Sequence, residues 1–348
     1  MKARVVYMEE RQPDIAALKC AGRIIRIGGL VAFPTETVYG VGGNALDTKS
    51  VGKIYEAKGR PSDNPLTINI ADFEDIYYIV RDIPEEAKKL AKLLWPGPLT
   101  MIFKKKDTVP TAVTGGSDTV AVRIPANEIA RAVIRAAGGY VAAPSANISG
   151  RPSPTKAEHV INDLGDRVDM IIDSGSSLFG IESTIVDFTA EEPVILRPGY
   201  YSAKQLEKAA GIKIAEGVKK SSKAGCEQKN FAALKYKHYS VNAEMTVFEG
   251  EKTAVADRIK SLVKQNEGCK VAIICSDETK MLYGELYTIS LGSISDENAI
   301  AARLFEVLRE LNESDIECIY CETFYTEKLG DAIMNRLLKA ADERLVKV

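Results

Sequence analysis

Short apolar runs alternate with amphipathic segments along most of this chain, and no other feature narrows its fold so far. Residues 30–33, 66–70, 99–103, 119–124, 140–143, 170–173 and 184–188 have the length and apolar character of strands. Residues 14–27, 50–58, 84–94 and 126–136 carry the 3.6-residue apolar period of helices that pack on a sheet. The alternation predicts an α/β fold with a twisted sheet. Past residue 243 the pattern recurs on a smaller scale. Strands are expected at 245–248, 271–275, 286–289 and 316–320, with helices at 253–265, 296–311 and 329–341. That pattern predicts a second, doubly wound Rossmann-like α/β unit.

Between the two regions the character of the chain changes. Residues 213–243 carry seven Lys against Glu216 and Glu227, whereas residues 1–212 hold equal numbers of acids and bases and residues 244–348 are acidic. The middle stretch lacks a sustained apolar period and reads as a linker. It ends with aromatics among cations, Leu234-Lys-Tyr-Lys-His-Tyr239. The expected division is therefore a body of 1–212, a basic strap of 213–243 that covers its cleft, and an end domain of 244–348. A length of 348 residues fits two domains at about 150 residues each.

Composition removes other classes. No run of about 18 apolar residues exists to span a membrane, and the first residues lack a secretory signal, so no membrane association and a cytoplasmic location are expected. Only Cys318 and Cys321 of the six Cys form a C-x-x-C, in a strand-like context that points them to opposite faces. With His159 and His238 far away in sequence, no protein metal site is expected, and the thiols read as packed small hydrophobes.

Four polar loops follow predicted strands or helices. Gly40-Val-Gly-Gly-Asn-Ala45 formally matches a dinucleotide fingerprint, but seven residues separate it from the strand. A Gly-rich turn that brings backbone close to a ligand is the reading preferred here. Lys58-Gly-Arg60 closes a predicted helix, so its cations either complement the helix dipole or bind anions. Residues 142–155 form a long polar run ending at Thr155, an expected N-cap for a helix through Val160. Glu182-Ser-Thr184 and Leu196-Arg-Pro-Gly199 admit both local pairing and a ligand role. With Arg123 added, the loops predict a cationic cleft for anionic substrates. A P-loop and a G-x-S-x-G elbow are both absent.

The motifs Pro34-Thr-Glu-Thr-Val-Tyr-Gly40, Lys58-Gly-Arg-Pro61, Trp95-Pro-Gly-Pro-Leu-Thr100, Ala121-Val-Arg-Ile-Pro125 and Ala143-Pro-Ser-Ala-Asn-Ile-Ser-Gly150 resemble YrdC-like domains. Ser153-Pro-Thr155, Glu182-Ser-Thr184 and Leu196-Arg-Pro-Gly199 continue the match in order. With the linker and end domain, nearly the whole chain is similar to two-domain L-threonylcarbamoyladenylate synthases. Asn69 departs from the family's usual His, and residues 232–241 lack its flanking prolines.

The resemblance implies a YrdC-like open sheet and a nucleotidyl transfer in which L-threonine, bicarbonate and ATP give threonylcarbamoyl-AMP and pyrophosphate. The product would pass to a tRNA threonylcarbamoyl-transfer machinery acting beside the anticodon. It further implies catalytic roles for Lys58, Arg60, Ser145 and Asn147. Threonine would be held by Thr35, Thr67, Arg123, Ser145 and Ser183, and ATP by Lys58, Ser62, Thr119, Asn147, Thr155, Arg197, Tyr236 and His238. Mg²⁺ would arrive on the phosphates rather than in a protein cage. Weak double-stranded RNA binding and carbamoyl transfer are the rival activities of such a module. The end domain's excess acid weakens the RNA reading.

Overall fold

The computed structural model describes residues 2–217 and 239–348, which form two compact units. One is built on residues 2–149, 154–178 and 182–217, the other on 150–153, 179–181 and 239–348.

The strands of the first unit are β1 (Arg4–Tyr7), β2 (Val31–Phe33), β3 (Gly40–Asn44), β4 (Thr67–Asn69), β5 (Leu99–Lys104) and β6 (Thr119–Arg123). They are joined by β7 (Val141–Ala142), β8 (Met170–Asp173), β9 (Thr184–Asp187), β10 (Val194–Arg197) and β11 (Ala215–Glu216). Among the described residues they make one mixed sheet in the order β1-β8-β2-β3-β7-β4-β6-β5-β9-β10-β11. Alternating side chains feed different clusters. Val31 and Phe33 pack with apolar residues of the helices Ile15–Arg26 and Glu128–Ala137, while Ala32 between them joins the larger cluster with Ile54 and Ile68.

β3 corrects the reading of Gly40–Ala45 as a ligand-facing turn. Its backbone pairs antiparallel with both β2 and β7, as Val31↔Gly42 and Gly43↔Ala142. A Cβ on Gly42 would come within 2.6 Å of the Phe33 ring and 2.7 Å of Val141. The glycines thus make room for neighbouring side chains inside a buried strand, and the dinucleotide reading falls with the turn.

In the second unit β12 (Glu244–Glu249), β13 (Val271–Cys275), β14 (Thr288–Ser290), β15 (Cys318–Glu322) and β16 (Leu345–Lys347) form an all-parallel sheet. Its order is β14-β13-β15-β12-β16, with the helices Lys252–Gln265, Glu297–Glu313 and Gly330–Ala340 in the connections. Crossovers in both directions give the doubly wound arrangement. Cys321 is buried, and Cys318 lies 3.2 Å from Cys269.

Candidate functional site

The first unit ties the polar motifs together through its backbone. The helix Thr48–Lys58 stops at Gly59, whose φ of 60° suits the left-handed cap that glycine adopts without penalty. The turn returns the chain, and the Arg60 amide donates to the Tyr55 carbonyl at 2.9 Å. Ser149 N–H donates to the Lys58 carbonyl at 2.8 Å, which brings the 145–149 loop onto the helix end. Ala146 N–H donates to the Tyr39 carbonyl, and Val41 N–H to that of Pro144, so the residue 34–40 motif joins the same assembly.

Lys58 lies at the junction. The residue is 1% exposed, and its ammonium donates to the Ser145 carbonyl at 2.5 Å and the Asn147 carbonyl at 2.6 Å. Arg60 braces its own loop, with Nε donating to the Asn64 carbonyl and Nη2 to Asn64 Oδ1 at 2.6 Å and the Pro65 carbonyl at 2.9 Å. The Tyr55 hydroxyl lies 3.0 Å from the Ala112 carbonyl and 3.2 Å from that of Asn64, so its single proton is shared between them. Burial pushes the phenols of Tyr55 and Tyr39 up to about 12, so both remain protonated donors at neutral pH.

A second group forms at the ends of β6, β9 and β10. Arg197 Nη2 donates to the Ser183 carbonyl at 2.9 Å and to Ser183 Oγ at 3.1 Å, and Thr100 Oγ1 lies 2.7 Å from Ser183 Oγ. Arg123 Nε donates to the Gly97 carbonyl at 3.3 Å, and its Nη2 is 2.7 Å from Glu36 Oε1. Burial raises the nearby Tyr201 phenol, with a smaller push from the charges of Tyr200 and Glu36. Thr35 Oγ1 donates to the Val38 carbonyl at 2.6 Å, closing the turn that presents Glu36.

The structure thus joins Lys58 to Ser145 and Asn147, and Arg197 to Ser183. Thr67 lies beside Ala121 in the β4–β6 pairing, and Thr119 bonds Ser117 at the start of β6. Ser62 is exposed in the loop after Arg60. Thr155 is buried but is not the expected N-cap. Lys156 occupies that position without a side-chain cap, and the helix Ala157–Leu164 follows. The Thr155 amide instead donates to His159 Nδ1 at 3.2 Å, since the chain makes one more extended residue before it turns. Tyr236 and His238 lie outside the described residues.

Sequence reasoning passed over Glu36 and Thr100. The signal for Glu36 was an acid between two threonines directly after an apolar strand and a proline, where surface placement is hard to arrange.

Comparison with known proteins now adds the family. The Sua5_yciO_yrdC family model, described as "Telomere recombination", matches residues 23–199. The model described as "Threonylcarbamoyl-AMP synthase, C-terminal domain" matches residues 201–342. The threonylcarbamoyl-AMP synthase of Pyrococcus abyssi is 45% identical over 95% of this chain and 96% of its own. That of Bacillus subtilis is 41% identical over 98% of this chain and 96% of its own. The crystal structure of P. abyssi Sua5 complexed with L-threonine superposes with a TM-score of 0.89 at 43% identity, covering 99% of each chain.

Proposed function

The chain belongs to the threonylcarbamoyl-AMP synthases, enzymes of nucleotidyl transfer acting on L-threonine, bicarbonate and ATP, and we propose that the first unit carries the chemistry around Lys58, Ser145 and Asn147. The observation that supports this reading is the buried Lys58 ammonium clasped by two loop carbonyls. It keeps a positive charge at the meeting point of the Lys58-Gly-Arg60 and Ser145-Ala-Asn147 motifs.

Bicarbonate, carboxylate and triphosphate repel one another, so the reaction needs fixed positive charge and orientation more than a protein nucleophile. Lys58 and Arg60 are assigned that role, with Ser145 and Asn147 hydrogen-bonding at the phosphates and carbamate. Arg123 is assigned the threonine carboxylate, alongside Thr35, Thr67, Ser145 and Ser183. Arg197, Ser62, Thr119, Asn147 and Thr155 are assigned to ATP. Lys58 brings positive charge to the junction, and no group of three or more His, Cys, Asp or Glu side chains among the described residues is placed to hold a divalent ion, so Mg²⁺ is proposed to enter on the triphosphate. Bound there, it would neutralise phosphate charge.

The division into a catalytic body of 1–212 and an end domain of 244–348 is part of the proposal. So is delivery of the product to a tRNA threonylcarbamoyl-transfer machinery, in a cytoplasmic setting. Among the described residues no helix is long and apolar enough to cross a membrane. The test is pyrophosphate release from ATP and bicarbonate with L-threonine or L-serine. Release that depends on L-threonine is expected; release indifferent to the amino acid overturns the assignment.

A further inference from the structure

Glu36 holds an unusual position for a carboxylate. It is 5% exposed, and its only charge partner in the described residues is the guanidinium of Arg123, itself 8% exposed. The contact at 2.7 Å is a charge contact rather than an aligned hydrogen bond, because neither Glu36 oxygen accepts a hydrogen bond among the described residues. A buried carboxylate left in that condition is costly, since each ionised oxygen normally takes at least one donor. Ser177 Oγ, also buried, likewise lacks a hydrogen-bond partner among the described residues. Glu36, Thr35 and Ser177 line one cleft of about 180 Å³ within the first unit.

The missing donor can be identified by charge. Arg123 supplies positive charge for a carboxylate, and Glu36 supplies negative charge for a cation beside it. An α-amino acid carries that complementary pair on a single carbon. Seating it exchanges one internal ion pair for two external ones, so neither protein charge is stranded on binding.

Resting on the assignment of the threonine carboxylate to Arg123, we propose that Glu36 is the acceptor of the threonine α-ammonium. Glu36 then determines that the site takes an amino acid rather than the corresponding hydroxy acid. A site built around a buried acceptor rejects the analogue that lacks the donor, because the acceptor stays unpaired. The role goes beyond steadying Arg123, since a residue that only oriented the guanidinium would affect every carboxylate ligand alike.

The experiment compares L-threonine with 3-hydroxybutanoate, which keeps the carboxylate, hydroxyl and methyl but has no amine. For Glu36→Gln, KM for L-threonine should rise about tenfold or more, KM for ATP should stay within about twofold, and inhibition by 3-hydroxybutanoate should be undiminished or tighter, because no buried carboxylate is then left unpaired. Equal weakening of threonine and 3-hydroxybutanoate overturns the proposal, as does an unchanged threonine KM. Should Glu36→Gln fail to fold, Glu36→Asp carries the same test, because it retains the charge but withdraws it by one methylene. Arg123→Gln separates the underlying assignment: it should weaken both ligands. If it weakens neither, the threonine site lies elsewhere, whatever Glu36→Gln does to ATP.

Discussion

The Lys58 ammonium donates to the Ser145 carbonyl at 2.5 Å across 87 residues of sequence, so one side chain fixes two motifs at once. Replacing it with Met keeps the length of the stem and removes the charge. Pyrophosphate release should fall about a hundredfold or more, in line with loss of a preorganised electrostatic group. Unfolding free energy should drop by about 1–3 kcal/mol, because two buried carbonyls lose a donor. Parallel turnover assays and urea melts check both. A stability loss with full activity would make Lys58 a purely structural clamp.

Thr100 and Ser183 share a hydroxyl contact at 2.7 Å within reach of Arg197. Thr100→Val preserves shape and removes the hydroxyl. KM for threonine should rise about threefold to tenfold with kcat little changed, the pattern of a group that steadies a binding residue. Steady-state kinetics at saturating ATP provide the measurement.

Two glycines should respond to alanine with opposite signs. At Gly42 the added methyl meets Phe33 and Val141 inside the sheet, so Gly42→Ala should destabilise by about 1–3 kcal/mol. Gly52, on the exposed side of the helix Thr48–Lys58, has open space around it. Gly52→Ala should stabilise by about 0.5–1 kcal/mol. Thermal melts of the two variants read the difference.

In the second unit, the Ser293 hydroxyl donates to Glu278 at 2.5 Å, and the Ile294 amide donates to both carboxylate oxygens. The hydroxyl bond chiefly holds the Glu278 carboxyl down at about 2. A folded value below the unfolded one gives stability that is present above the usual carboxylate range near 4.5 and is lost as pH falls toward 2. Glu278→Gln should therefore lie below the parent protein in stability at pH 6, with the gap narrowing below about pH 4.5 and closing only as pH falls through about 2. Urea melts across that range decide the matter, and a constant gap would assign the effect to packing.

The elements with strong periodicity were legible before the structure. The helix expected at 14–27 appears as Ile15–Arg26 with Asp14 capping its first turn, and the strand at 170–173 appears unchanged. β3 was not legible, because Gly-Val-Gly-Gly-Asn has too few side chains to show a period. Its strand conformation comes from the two neighbours that pair with it. β10 and the helix Ala203–Ala210 were missed for another reason: at four and eight residues they are too short to show a period. At the site, residue type pointed to Lys58 and Arg123 as cations but gave no hint that Lys58 faces carbonyls or that Arg123 faces Glu36. Those partners depend on which strand ends the sheet order brings together.

The pairing of β1 with β8 bears on how the chain is made. Arg4 finds its sheet partner in Met170, and Val31 of β2 shares that same residue. On a ribosome, where synthesis runs from the N-terminus, the opening strand must wait without a neighbour until residue 173 has emerged. Loop-closure cost grows only slowly with length, so the wait burdens the timetable more than the final stability. Until β8 arrives, the edges of β1 and β2 are open to strands of other nascent chains, which makes this interval the one in which a chaperone has most to offer.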